Sequence, residues 1–172
     1  MLLFDIQRAV RSVPIVEKTT APSRQITEAG DGACAFGKIR EIIRKDLQTM
    51  KVIETTNAPA AIGPYSQGFE LCKLVFTSGQ IPVDPATGEV AGSTIEEQAE
   101  QSCRNVIAVL EAGGSSAEQV IKTTCFLADM GDFAAFNAVY AKYFTGKPAR
   151  SCVAVRSLPK GVLCEIEAIA EK

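Results

Sequence analysis

No histidine occurs anywhere in the 172 residues. That absence removes Ser-His-Asp and Cys-His catalysis outright, so any chemistry near neutral pH falls to Glu, Asp, Cys, Tyr, Lys, Arg or backbone groups. No stretch approaches the roughly 18 consecutive apolar residues of a membrane span. Asp5, Gln7 and Arg8 interrupt the start before the apolar core of a secretory signal can form. Strong charge of either sign is missing too, and a formal net charge of −2 gives no electrostatic case for nucleic acid or an anionic membrane. The six cysteines include no C-x-x-C pair. Without histidine, a metal site would need several thiolates converging from separate elements, so no metal is expected. Reduced, mostly buried thiols in a cytoplasmic protein are the expectation.

What is present reads as one globular domain behind an extension. Residues 1–49 carry 8 basic and 6 acidic side chains, and residues 50–172 carry 10 and 14. Residues 1–35 show no sustained hydrophobic period and contain the loop-like run Glu28-Ala-Gly-Asp-Gly-Ala. Phe36, Ile39, Ile42, Ile43 and Leu47 fall at helical spacing, which predicts a short amphipathic helix over 36–48. Arg8, Arg11 and Arg24 among apolar residues raise mitochondrial targeting as the lesser alternative to a cytoplasmic location. Asp5, Glu17, Glu28 and Asp31 count against it. Met50 opens the clearly globular part and is a candidate alternative start.

Within 50–172, strand and helix patterns alternate. Lys51–Thr56 reads as a strand, and 69–71 and 74–78 as a hairpin around Cys72-Lys73. Thr94 followed by Glu97 is a capping box that opens a helix to about Ala112, and Gly113-Gly114 ends it. Val120–Leu127 is β-branched with apolar residues on both faces, which predicts an interior strand. Asp132 is the expected cap of a second helix through Phe144, with Phe133, Phe136, Tyr140 and Phe144 on one side. Ser151–Arg156 and Val162–Ala170 complete an α+β domain, a sheet with two helices on one face. A sheet of about 123 residues covered on one side only is commonly completed by oligomerisation through the other.

Alternation in Val162-Leu-Cys-Glu-Ile-Glu-Ala-Ile-Ala puts Glu165 and Glu167 on one face and Cys164, Ile166 and Ala168 on the opposite one. Carboxylates inside an apolar strand are unfavourable to bury unless partnered, and an edge strand in solvent is the competing reading. Arg150 lies just after a proline turn and before a strand, a setting suited to bidentate grip on a carboxylate. A plain surface arginine fits the same spacing. Gly63-Pro64-Tyr65 presents a phenol on a rigid turn, and Thr77-Ser78-Gly79 ends a strand with a hydroxyl and a flexible glycine. Cys152 is the natural nucleophile to consider, against the alternative of a buried inert thiol.

These segments, in order, resemble the reactive intermediate deaminase (RidA) family. The likeness runs through Asn57-Ala-Pro-Ala-Ala-Ile-Gly-Pro-Tyr-Ser-Gln-Gly, Thr77-Ser-Gly-Gln-Ile-Pro, Val120-Ile-Lys-Thr-Thr and Phe133-Ala-Ala-Phe-Asn-Ala-Val-Tyr. It continues through Pro148-Ala-Arg-Ser-Cys-Val, Leu158-Pro-Lys-Gly and Glu165-Ile-Glu-Ala-Ile-Ala. It spans residues 50–172 and leaves 1–49 without a counterpart. The resemblance implies a chorismate-mutase-like fold in a homotrimer with active sites between subunits. It also implies cofactor-free and metal-free hydrolysis of the reactive enamine/imine acids 2-iminobutanoate and 2-iminopropanoate to 2-keto acids and ammonia, a form of metabolite damage control in amino-acid metabolism. By position, Arg150 matches the arginine that holds the substrate carboxylate, and Glu165 the glutamate that orients or activates water. Tyr65, Ser78, Asn137 and Cys152 match the remaining pocket positions. The loop Phe144-Thr-Gly-Lys-Pro is a residue or more shorter than is common in the family. Two other readings stand beside this one: a non-catalytic trimer that binds small acids and regulates a partner, and an RNA-cleaving translation inhibitor. The acidic globular part, the missing histidine and only three tyrosines make a poor nucleic-acid surface.

Overall fold

The computed structural model describes residues 50–172; the extension, with the helix expected over 36–48 and Cys34, lies outside the described residues. Six strands and two helices follow in the order β1 (Met50–Ile53), β2 (Gly68–Leu71), β3 (Leu74–Thr77), α1 (Ile95–Ala112), β4 (Val120–Leu127), α2 (Phe133–Tyr143), β5 (Ala149–Ala154) and β6 (Cys164–Glu171). They form one mixed sheet in the order β1-β2-β3-β6-β4-β5. Only β4 and β5 are parallel, because α2 returns the chain to the starting end before β5 begins.

Local chemistry sets the ends of these elements. The β2–β3 turn is two residues, Cys72 and Lys73, and Cys72 takes the left-handed φ of 57° that such a turn demands. At the start of α1, Thr94 Oγ1 accepts from the Glu97 amide at 3.3 Å, and the Glu97 carboxylate accepts from the Thr94 amide at 3.1 Å. The Ser93 amide, donating to the same carboxylate at 2.9 Å, and then the Thr94 amide hold the Glu97 carboxyl below its usual range. At the far end, a side chain on Gly113 would press within 2.9 Å of both Ile53 and Val75, so only glycine lets the helix end against β1 and β3. Asp132 does occupy the cap position of α2, but its side chain makes no capping bond. Its backbone is already helical there, since a short 3-10 turn at Met130–Asp132 leads straight into the helix. The side chain of Asp129 caps that turn instead, accepting from the Gly131 amide at 2.7 Å.

Both helices share one face of the sheet. Beneath them β6 contributes Cys164, Ile166, Ala168 and Ala170, β4 contributes Thr123, Cys125 and Leu127, and β3 contributes Val75, all buried. Across from these sit Ala99, Cys103, Val106 and Leu110 of α1, and Phe136, Tyr140 and Phe144 in and just beyond α2. Truncating Phe136, which has no exposed surface, would cost about 3–5 kcal/mol, the sum of lost transfer energy and the cavity left behind. Among the described residues no helix covers the second face. Phe76 pairs there with Ile169, Phe126 with Glu165, and Thr124 with Glu167. Val52 and Val153, at its two ends, are about half exposed.

Two strand boundaries differ from the sequence expectation, and the place of β6 in the sheet decides a point that the sequence left open. β1 stops at Ile53, because from there the chain is tied to Gln67 rather than to a neighbouring strand. β5 begins at Ala149, which places Arg150 inside the strand instead of before it. β6 is an interior strand, flanked by β3 and β4, so Glu165 and Glu167 are not edge residues in open solvent.

Candidate active site

Glu165 projects from β6 onto the helix-free face, into a cleft of about 380 Å3 walled by Ile62, Tyr65, Ser78, Gly79 and Ile81. Segment 78–80 reaches this cleft through backbone pairing with β6: the Gln80 amide donates to Ile166 O at 2.8 Å, and the Ile166 amide returns a bond to Gln80 O at 3.2 Å. That register presses Gly79 against the Glu165 carboxylate. A Cβ at residue 79 would lie 1.8 Å from Oε1, so the carboxylate occupies the space that only glycine leaves open.

Two buried side chains hold the cleft's loops. Gln67 accepts from the Thr55 amide at 2.7 Å, and its Nε2 lies within donating distance of Thr55 O, Ala58 O and Pro59 O. Asn105 of α1 donates through Nδ2 to Ile81 O and Val83 O, each at 2.9 Å. Ser78 Oγ donates to Ser66 O at 2.6 Å, leaving its oxygen lone pairs directed elsewhere. Tyr65 is half exposed, and its hydroxyl accepts from the Ile62 amide at 3.3 Å.

Burial, and then the neighbouring Glu167, push the Glu165 carboxyl above its usual range. Its carboxyl makes no hydrogen bond or ion pair among the described residues. Half-buried, proton-hungry and unpartnered, it has the character of a general base or acid.

Arg150 lies elsewhere. It is paired in register with the buried Thr123 of β4, so its side chain leaves β5 on the helix face. There it borders a cleft of about 510 Å3 with Asn137, Tyr140, Phe144, Lys147 and Pro148. The guanidinium carbon stands 4.6 Å from the Tyr140 ring centre and 5.7 Å from that of Phe133. Arg150 likewise has no ion pair or hydrogen-bond partner among the described residues, which leaves all its N–H donors free for an anion. Asn137 contributes a buried Oδ1 with no hydrogen-bond partner, an acceptor awaiting a donor.

Cys152 faces the same way and is register partner to the buried Cys125. Burial raises its thiol, outweighing the pull of Arg150 toward the thiolate. Burial also pushes Cys125 up to about 12. Neither thiol is a ready nucleophile at neutral pH. Among the described residues no cluster of three or more His, Cys, Asp or Glu is arranged to hold a metal ion.

The six expected site residues therefore fall into two groups. Tyr65, Ser78 and Glu165 meet in one cleft; Asn137 and Arg150 line the other, with Cys152 on the same strand and face. The two clefts share no residue and open on opposite faces of the sheet. Sequence reasoning placed Tyr140 on the packed side of the second helix and Gln67 in the turn that carries Tyr65 without giving either a part in the site, and it did not reach Asn105. Only its place beside the buried stripe of α1 could have marked Asn105.

A mixed sheet carrying both helices on one face is the architecture of a known family. The profile described as Endoribonuclease L-PSP, which covers the RidA proteins, matches residues 55–172, and the chain belongs to that family. A Salmonella typhimurium protein named 2-iminobutanoate/2-iminopropanoate deaminase is 56% identical over 124 residues, 70% of this chain and 96% of that protein. A Lactococcus lactis protein named as a regulator, AldR, is 54% identical over 123 residues, 71% of this chain and 98% of its own. Among solved structures, Escherichia coli TdcF with bound serine superposes with a TM-score of 0.69 at 51% identity, covering 71% of this chain and 98% of that one. Among the described residues no helix is long and apolar enough to cross a membrane.

Proposed function

We propose that the protein hydrolyses small 2-imino acids, 2-iminobutanoate and 2-iminopropanoate in the first instance, to 2-keto acids and ammonia. The observation that carries this reading is a pair of opposite charges, Arg150 and Glu165, each lining an open cleft and each without a hydrogen-bond or ion-pair partner among the described residues. The deaminase name carried by a relative 56% identical supports it. Arg150 grips the substrate carboxylate through two parallel hydrogen bonds. Glu165 takes a proton from a water as the water oxygen bonds to the electrophilic imine carbon, and the C=N π pair moves to nitrogen. Starting from the protonated imine, this leaves a neutral carbinolamine. The same carboxyl returns the proton to its nitrogen, the C–N bond pair leaves with ammonia, and the carbinol O–H proton passes back to Glu165 as the C=O bond forms. Ser78 and Tyr65 orient the water, and Asn137 Oδ1 accepts from the substrate or from the facing subunit. Cys152 lines the pocket without bonding covalently to it. The reaction uses neither metal nor cofactor, and its setting is the cytoplasm, where it removes reactive enamines and imines.

Because the two halves face opposite ways in one chain, a whole site requires two chains. The helix-free face, with Phe76, Phe126 and Ile169 on it, supplies the apolar surface for closure into a homotrimer. The regulator reading draws on AldR and uses the Arg150 cleft equally well, but it gives no task to an unpartnered Glu165. Ammonia release from freshly generated 2-iminobutanoate, measured with light-scattering mass on the same sample, tests both claims. Turnover well above the spontaneous rate at three times the chain mass is expected. A monomer with full turnover would remove the two-chain site, and no acceleration would remove the deaminase reading.

A further inference from the structure

Arg150 has to present its guanidinium plane to a carboxylate, yet no carboxylate, carbonyl or hydroxyl of the described residues holds it. What holds it is aromatic. Its guanidinium carbon lies over Tyr140 at 4.6 Å, with Phe133 further out at 5.7 Å. A ring face attracts the cation while leaving every N–H free, which suits a residue whose donors are needed by a ligand.

The ring is itself fixed. The Tyr140 hydroxyl shares a buried 2.7 Å hydrogen bond with Thr123 Oγ1. Its ring packs against Phe144 at 4.5 Å and Phe136 at 5.9 Å between centres. Thr123 is the residue of β4 directly beside Arg150 of β5. A chain of contacts thus leads from strand to helix and back to the guanidinium.

We propose that Tyr140, locked by Thr123, is a positioning residue that sets the plane of the Arg150 guanidinium for a substrate carboxylate. The inference rests on the deaminase reading. Burial pushes the Tyr140 phenol up to about 12, so it keeps its proton, and the lock, throughout the neutral range. Bidentate recognition tolerates little rotation of the guanidinium, whereas a water attacking the imine on the Glu165 side depends on Tyr140 only indirectly. A residue that merely fills the core would change stability without altering how the site distinguishes an acid from its ester.

The test compares wild type with Tyr140→Phe, Tyr140→Leu, Thr123→Val, the Tyr140→Phe/Thr123→Val double variant and Arg150→Ala. Calorimetric affinities for 2-oxobutanoate and its methyl ester are measured alongside KM and kcat for 2-iminobutanoate. Tyr140→Leu should raise KM about tenfold and erase most of the preference for acid over ester, with kcat changed far less. Tyr140→Phe and Thr123→Val should each raise KM about threefold, and the double variant no further, since both delete one hydrogen bond. The proposal is overturned if Tyr140→Leu keeps the acid preference that Arg150→Ala loses. If Arg150→Ala keeps that preference too, Arg150 does not grip the carboxylate and the proposal falls with it; the deaminase reading itself fails only if wild type shows no turnover of 2-iminobutanoate above the spontaneous rate. Should Tyr140→Leu not fold, the Phe and Val variants decide: an unchanged KM in both overturns the lock.

Discussion

Replacing Arg150 by alanine is expected to lower kcat/KM for 2-iminobutanoate by about 10²–10³-fold, the size of loss seen when one partner of a close, desolvated ion pair is removed. The fold should survive. Arg150 is only partly buried and makes no ion pair or hydrogen bond with the described residues, so no protein group is orphaned by its loss. Circular dichroism and the melting temperature would check this, with ammonia release reporting the activity. Arg150→Lys should recover only part of the rate, because an ammonium cannot offer two parallel donors to one carboxylate. Near-normal hydrolysis by the alanine variant would show that the guanidinium does not hold the substrate.

Glu165→Gln should cost about 10²–10⁴-fold in kcat, the usual contribution of a positioned general base, because an amide cannot take the water's proton. In the wild type, kcat/KM should fall toward acid through an apparent pKa above the ordinary carboxylate value of 4.5, in the direction that burial and Glu167 shift the group. The same shift carries a stability consequence of opposite sign. A carboxyl whose folded pKa is raised favours the folded state fully below its unfolded pKa, and this contribution is lost as pH rises through the folded value. At pH 7 the ionised Glu165 therefore destabilises the fold, and Glu165→Gln should melt higher than wild type, with the gap closing below the carboxylate range. Melting curves at pH 7 and at about pH 3.5, below the unfolded glutamate value, would show it. A lower melting temperature at pH 7 would mean that a cation of the assembly pairs directly with Glu165, with no substrate between them.

Much of this arrangement could be read from residues alone, for reasons that differ by element. Helix α1 declares itself at both ends, through the reciprocal Thr94–Glu97 bonds and the glycine that fits against Ile53 and Val75. Period-two alternation gave the faces of β6 correctly, since Cys164, Ile166 and Ala168 are buried and Glu165 and Glu167 are not. The boundary of β5 was hidden because Pro148 looks like a turn, and nothing local shows that parallel pairing with Lys122 and Thr123 begins at the next residue. Strand order is a long-range property, so periodicity could not decide between an edge and an interior β6. Family likeness named Arg150 and Glu165, but their opposite faces follow only from register: Arg150 beside Thr123, Glu165 beside Phe126. The roles of Gln67 and Asn105 escaped notice because they lie in which distant carbonyls the two side chains reach.

The division of Arg150 and Glu165 between two faces has a genetic consequence. If every working centre borrows its arginine from one chain and its glutamate from another, two alleles dead in isolation can rescue each other. Co-refolded Arg150→Ala and Glu165→Gln chains would rebuild intact centres by chance alone, about a quarter of them at equal mixing. The cell would then see a defect in either residue as partly recessive, and a chain defective in both as damage passed on to its neighbours.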